Sequence, residues 1–230
     1  MRMNQSRLLW IGAASLVTML AVLSMAAPQT SPKPAAANIL AKTPADALPA
    51  PLPGDKTAGV DQVLQVIGWL DRYDRDGRKA ANKINFQLPE SVVNEYLAYA
   101  LRINPRPGVS SVTVKLLPNN QISSVVWIDF DAIAKWNSWV LPAPLRLLLN
   151  GKKAVRVDAQ MDVRGGVFNY TLKSAYGPAG DAIAKKVMDD IVQVIGLHQR
   201  ELYNIGQQPI VLPYGLQRLW CEKQILNGET

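Results

Sequence analysis

The chain has one cysteine, Cys221, and one histidine, His198, in 230 residues. A single cysteine excludes an intramolecular disulfide, so an exported form must hold together by its packed core. Set between Trp220 and Glu222 on an expected strand, the thiol reads as a packed side chain. So few soft ligands leave almost no room for a transition-metal site. A Ser–His–Asp or Cys–His centre would have to use His198, and no nucleophile-elbow pattern accompanies it. At the end of an expected helix, that imidazole suits the carbonyl terminus instead. There is no glycine-rich loop at a strand–helix junction to cradle phosphate. Neither a dense basic run nor basic–aromatic interleaving points to nucleic acid.

What is present is an ordinary hydrophobic content of 48%, enough for a core, and a net charge of +7. That charge suits either an anionic partner or simple solubility. Arg2 and Arg7 precede the uncharged run Leu8–Ala27, with small residues Ser24 and Ala26 placed for cleavage after Ala26. The run is also long enough to span a bilayer uncut. Residues 1–27 are thus expected to be a signal peptide or an N-terminal anchor, with the rest of the chain on the periplasmic side of the inner membrane. No cysteine follows the run, which excludes a lipoprotein anchor. Residues 28–58, with prolines at 28, 32, 34, 44, 49, 51 and 53, read as an extended linker, leaving 59–230 as one domain.

Val60, Val63, Leu64, Ile67 and Leu70 have helical spacing, ending near the charged run Asp71–Lys79. That run does not make a calcium loop, because Arg72 and Lys83 fall where the first and last acidic ligands belong. It is expected to be a solvated turn. Next, Ile84, Phe86 and Leu88 alternate as a half-buried strand, and Pro89 is expected at the first position of a helix. Val93, Tyr96, Leu97, Ala100 and Leu101 form one apolar stripe, with Glu90, Asn94, Glu95 and Arg102 off it. Pro105, Pro107 and Gly108 close that helix.

Two hairpins follow. Val112–Leu116 and Ile122–Phe130 flank Pro118-Asn119-Asn120, and Lys152–Arg164 and Val167–Tyr176 flank Gly165-Gly166. In the last of these strands Phe168, Tyr170, Leu172 and Tyr176 are expected on one face. Between the hairpins, the segment with Trp136 and Trp139 is broken by Pro142 and Pro144. It suits a lid, a pocket mouth, a surface at the membrane interface, or an irregular core element. Gly180–Leu197 reads as a second long helix carrying Ile183, Val187, Met188, Ile191 and Val192, and Leu216–Leu226 as a final strand. This order predicts an α+β fold with an antiparallel curved sheet of about five or six strands packed on two long helices. Asp129 with Asp131, near a strand end, and Asp158 with Asp162, on one strand face, are paired carboxylates that suit acid–base work or a hard cation.

A strand followed by a helix carrying Glu90-x3-Asn94-Glu95-Tyr96-Leu97, then antiparallel strands and a second long helix, resembles the exported lipid-binding proteins of the tubular (TULIP-type) kind over 83–226. That resemblance implies an apolar groove lined by Val93, Leu97, Leu101, Val187 and Ile191, with Tyr96, Trp136 and Trp139 beside it. It implies a lipid or other apolar ligand, no catalytic step and no cofactor. Arg72, Arg75, Arg78, Lys152 and Lys153 would favour anionic headgroups. The competing expectations are an assembly module of the cell envelope with protein partners, and, behind both, a hydrolase built on the aspartate pairs.

Overall fold

In the computed structural model the described residues are 57–103, 105, 108–136, 150–198 and 210–230, without the side chains of 136, 192–198 and 210. The N-terminal run, most of the linker and Trp139 lie outside them. Among the described residues no helix is long and apolar enough to cross a membrane.

The first helix, α1 (Ala58–Arg75), begins at Thr57, whose hydroxyl accepts the Val60 N–H. It buries Val60, Val63, Ile67 and Leu70 as the spacing predicts, but does not stop at the charged run. Asp71 is buried on the same face and pairs with Arg75 at 2.7 Å. One further helical turn satisfies its carboxylate, so the solvated turn starts later than expected. Strand β1 (Asn85–Pro89) follows, then α2 (Glu90–Ile103). Pro89 ends the strand rather than opening the helix, because it pairs with Ile225 at the sheet.

The fold is α+β with antiparallel sheets, and the strands divide into two of them rather than the single sheet expected. The larger contains β2 (Val109–Leu117), β3 (Gln121–Asp129), β4 (Lys152–Arg164), β5 (Val167–Tyr176) and the two-residue β6 (Ile210–Val211), in that order. The smaller has the order β1–β8–β7, where β7 (Arg218–Glu222) and β8 (Ile225–Glu229) form a hairpin in place of one final strand. Helix α3 (Phe130–Trp136) leaves β3 one residue earlier than the alternation suggested, and buries Phe130 and Ile133. Helix α4 (Lys185–His198) starts later than expected, since residues up to Ala182 complete a turn bridged to Tyr176.

A bulge between Asp158 and Ala159 shifts the β4–β5 register so that Leu172 and Ser174 face consecutive residues of β4. The inward face of β5 therefore passes to Ala175, and Tyr176 moves to the opposite face from Phe168. One insertion in a period-2 pattern inverts everything beyond it.

The small sheet sits across the hairpin tips of the large one. Asn120 at the first tip accepts the Cys221 N–H through its side chain at 2.9 Å and the Met161 N–H through its carbonyl at 2.9 Å. At the second tip, Gly166 donates to Gln217 and accepts from Leu212. A continuous apolar core fills the space between the inner sheet faces and the helices.

Cys221 belongs to this core, and burial pushes its thiol up to about 12. The thiolate is the reactive form, so the folded chain should resist iodoacetamide at neutral pH and label fully in denaturant. Rapid labelling of the native chain would contradict this packing.

Candidate functional site

Helix α2 is held at three places. Its first N–H, at Glu90, donates to the Gln224 carbonyl in the β7–β8 turn at 2.8 Å. Near its middle, the Glu95 carboxylate accepts the Thr57 hydroxyl and lies against Gly59, at the N-terminus of α1. A negative group there complements the helix dipole. A side chain at Gly59 would meet the carboxyl carbon at 2.9 Å, so it would have to shift the Glu95 carboxylate.

The third attachment is to β2, the edge strand of the large sheet. Asn94 donates from Nδ2 to the Val114 carbonyl at 2.9 Å and accepts the Val114 N–H on Oδ1 at 2.7 Å. One turn earlier, Glu90 Oε2 accepts the Leu116 N–H at 2.7 Å. The amide supplies one donor and one acceptor, as a neighbouring strand residue would. The helix thereby closes part of an edge that would otherwise invite another strand. Asn94 and Glu90 do fall off the apolar stripe, yet they face a sheet edge rather than water. Their spacing of one helical turn is the only sequence signal that links them.

The stripe itself enters the core: Val93, Tyr96, Leu97 and Leu101 are all buried. The Tyr96 hydroxyl has no hydrogen-bond partner among the described residues. Burial, and then the neighbouring Tyr99 and Tyr214, raise its pKa far above the ordinary phenol value. The Tyr96 and Tyr99 ring centroids lie 6.2 Å apart in a tilted arrangement. More than nine in ten buried polar groups find a partner, so this hydroxyl is an exception that asks for one.

Helix α4 supplies the other residues named from sequence. Ile191 is buried and Val187 half-buried. This helix packs on β5 and α3, whereas α2 packs on β2 and α1. The two groups of residues belong to one core but line different parts of it. The backbone of Trp136 ends α3, while its side chain and all of Trp139 lie outside the described residues.

The paired aspartates are engaged in structure. Asp129 caps α3 by accepting the Ala132 N–H at 2.9 Å, and Asp131 accepts the Gly151 N–H at 3.0 Å. With Lys135 and Lys152 they line an open depression of about 480 Å³. Asp158 accepts the hydroxyls of Ser123 at 2.6 Å and Ser174 at 3.0 Å, on the two flanking strands. Asp162 pairs with Arg164 at 3.1 Å. Four residues along a strand place Asp158 and Asp162 about 13 Å apart, beyond the roughly 5–9.5 Å used by carboxylate pairs in glycoside hydrolysis. Among the described residues no cluster of acids, histidine and cysteine is arranged for a metal. Arg75 and Arg78 pair with Asp71 and Asp74, each at 2.7 Å, while their side chains stay more than half exposed.

No protein-family model, curated protein or solved structure matches the chain.

Proposed function

We propose that the chain is an exported domain, tethered through residues 8–27 to the periplasmic side of the inner membrane, that binds a lipid or other apolar ligand without a catalytic step. The reading keeps the likeness to tubular lipid-binding proteins, with a curved antiparallel sheet packed on two long helices as its finer form. The observation that carries it is the buried Tyr96 hydroxyl, which no described residue satisfies. An acyl ester or carboxyl oxygen beside α2 would accept its proton, while Val93, Leu97 and Leu101 met the hydrocarbon. Each methylene buried contributes about 0.8 kcal/mol.

The test is organic extraction and mass spectrometry of the purified full chain, paired with Tyr96→Phe. The expected result is a co-purifying lipid in the parent, bound about tenfold more weakly in the variant through loss of one hydrogen bond of roughly 1.4 kcal/mol. No lipid in the parent, with a phenylalanine variant that is simply more stable, would overturn the reading. That outcome favours the second reading, an assembly module of the cell envelope with protein partners. It is supported by the close burial of Leu97 and Ile191, 2% and 0% exposed, in a continuous core.

A further inference from the structure

Tyr99 and Tyr214 both lie beside the buried Tyr96 hydroxyl, and they differ in how they are held. Tyr99 belongs to α2, as Tyr96 does, and α2 is fixed at three places. Tyr214 belongs to the 3-10 turn Pro213–Gly215, a short connection between β6 and β7 that packs on α1. Both ends of this strap are pinned to one residue at the β4–β5 hairpin tip. Leu212 donates to the Gly166 carbonyl at 2.7 Å, and the Gln217 carbonyl accepts the Gly166 N–H at 3.0 Å. Between those pins Leu216 donates to Pro213 at 3.2 Å, a bond internal to the strap.

The strap is strained, and a side chain from α1's end lies across it. Tyr214 is held at φ 59° and ψ 20°, the left-handed region that a bulky residue avoids. Gly215 follows at φ 69°, which glycine adopts readily. The Arg78 stem crosses Gly215 so closely that a β-carbon there would lie 2.9 Å from Cδ and 3.0 Å from Nε. Arg78 is itself fixed to α1. Its Nε donates to Asp74 Oδ1 at 2.7 Å, its N–H donates to the Tyr73 carbonyl at 3.0 Å, and its carbonyl accepts the Tyr73 hydroxyl at 3.3 Å. It therefore clasps the strap at the one position between Pro213 and Leu216 that has no side chain to lift it.

We infer that residues 213–216 form a gate over the Tyr96 hydroxyl, closed in this structure and released when the Arg78 side chain leaves Gly215. Opening lets Tyr214 leave its left-handed backbone and withdraws its half-buried ring, while the pins at Leu212 and Gln217 keep the strap's ends in place. The inference rests on the apolar-ligand reading only for what passes the gate. For the test, the full chain carries Tyr96→Cys, and native Cys221 serves as the reference for opening of the whole core. Both thiols are labelled with iodoacetamide under native conditions and read separately by peptide mass spectrometry. The thiol at position 96 should label ahead of Cys221. Arg78→Ala should speed it on the order of fivefold, for one exposed ion pair and the packing of the stem, and leave Cys221 unchanged. Asp74→Asn should act in the same direction by less. Hydrogen exchange on the chain that keeps Tyr96 gives a second readout, which decides alone should Tyr96→Cys not fold: Arg78→Ala should speed the Leu216 amide and leave that of Leu226 as it was. Two thiols that label in step, or a strap indifferent to Arg78→Ala, overturn the gate. Co-purifying lipid with an indifferent strap overturns the gate and keeps the ligand, whereas a responsive strap without lipid keeps the gate and overturns the ligand.

Discussion

Gly228→Ala is expected to destabilise the domain by about 3 kcal/mol, a large part of a typical folding free energy of roughly 5–15 kcal/mol. Gly228 sits on β8 opposite both Phe86 of β1 and Leu219 of β7, on the face turned to the core. A methyl group there would run into the Phe86 ring, with Cε1 at 2.5 Å, and would meet Leu219 Cδ2 at 2.9 Å. The ring lies over the glycine and has no free direction, because Phe86 is itself buried. Urea unfolding should show a lower midpoint with an unchanged slope. Phe86→Leu, which shortens the obstructing side chain, should cost less in the alanine background than in the parent. Strict additivity of the two changes would show that the contact is not the cause.

Asn94→Asp should be nearly as damaging as Asn94→Ala, despite changing one atom of the side chain. Alanine leaves the Val114 N–H and carbonyl without their partner, at about 1–3 kcal/mol for each group deprived. Aspartate still accepts the N–H, but sets a carboxylate against the Val114 carbonyl, where Asn94 Nδ2 now stands at 2.9 Å. An exposed asparagine would tolerate either change within about 0.5 kcal/mol. Both variants should also self-associate above the parent in sedimentation velocity, since the β2 edge loses part of its cover. Variants that are as stable and as monomeric as the parent would remove the edge-closing role of α2.

Where the chain announces its own geometry, the sequence was a good guide. Asn119, Asn120, Gly165 and Gly166 all adopt positive φ, and these are residues that accept it at little cost. Both hairpins were therefore legible. The third was not, because its two-residue turn is Lys223-Gln224, with φ of 50° and 63°. Neither residue favours that region. The conformation is held from outside, by the ladder of β7 with β8 and by the Glu90 N–H on the Gln224 carbonyl. Tertiary contacts of this kind leave no local signature. The same is true of Asp71, whose partner Arg75 lies in the run that reads as solvated, and of Asn94, which a helical wheel assigns to water. The apolar stripe of α2 was readable because burial follows period, whereas Trp127 was read only as one more member of a strand. Its exposure depends on which face the other elements cover.

The pairing of β1 with β8 has a consequence for the order in which the domain assembles. Asn85 meets Glu229, and Thr230 donates its N–H to the Ile84 carbonyl while its hydroxyl accepts the Ile84 N–H. Among the described residues, the strand that leads into α2 thus has β8 as its one sheet neighbour. Local hairpins of the large sheet close short loops, but the small sheet must close one of well over a hundred residues, the slowest kind of contact to make. In a chain made from its N-terminus, β1 is present early and waits. Strand β8 acts as a latch that secures α2 only once it too has been made.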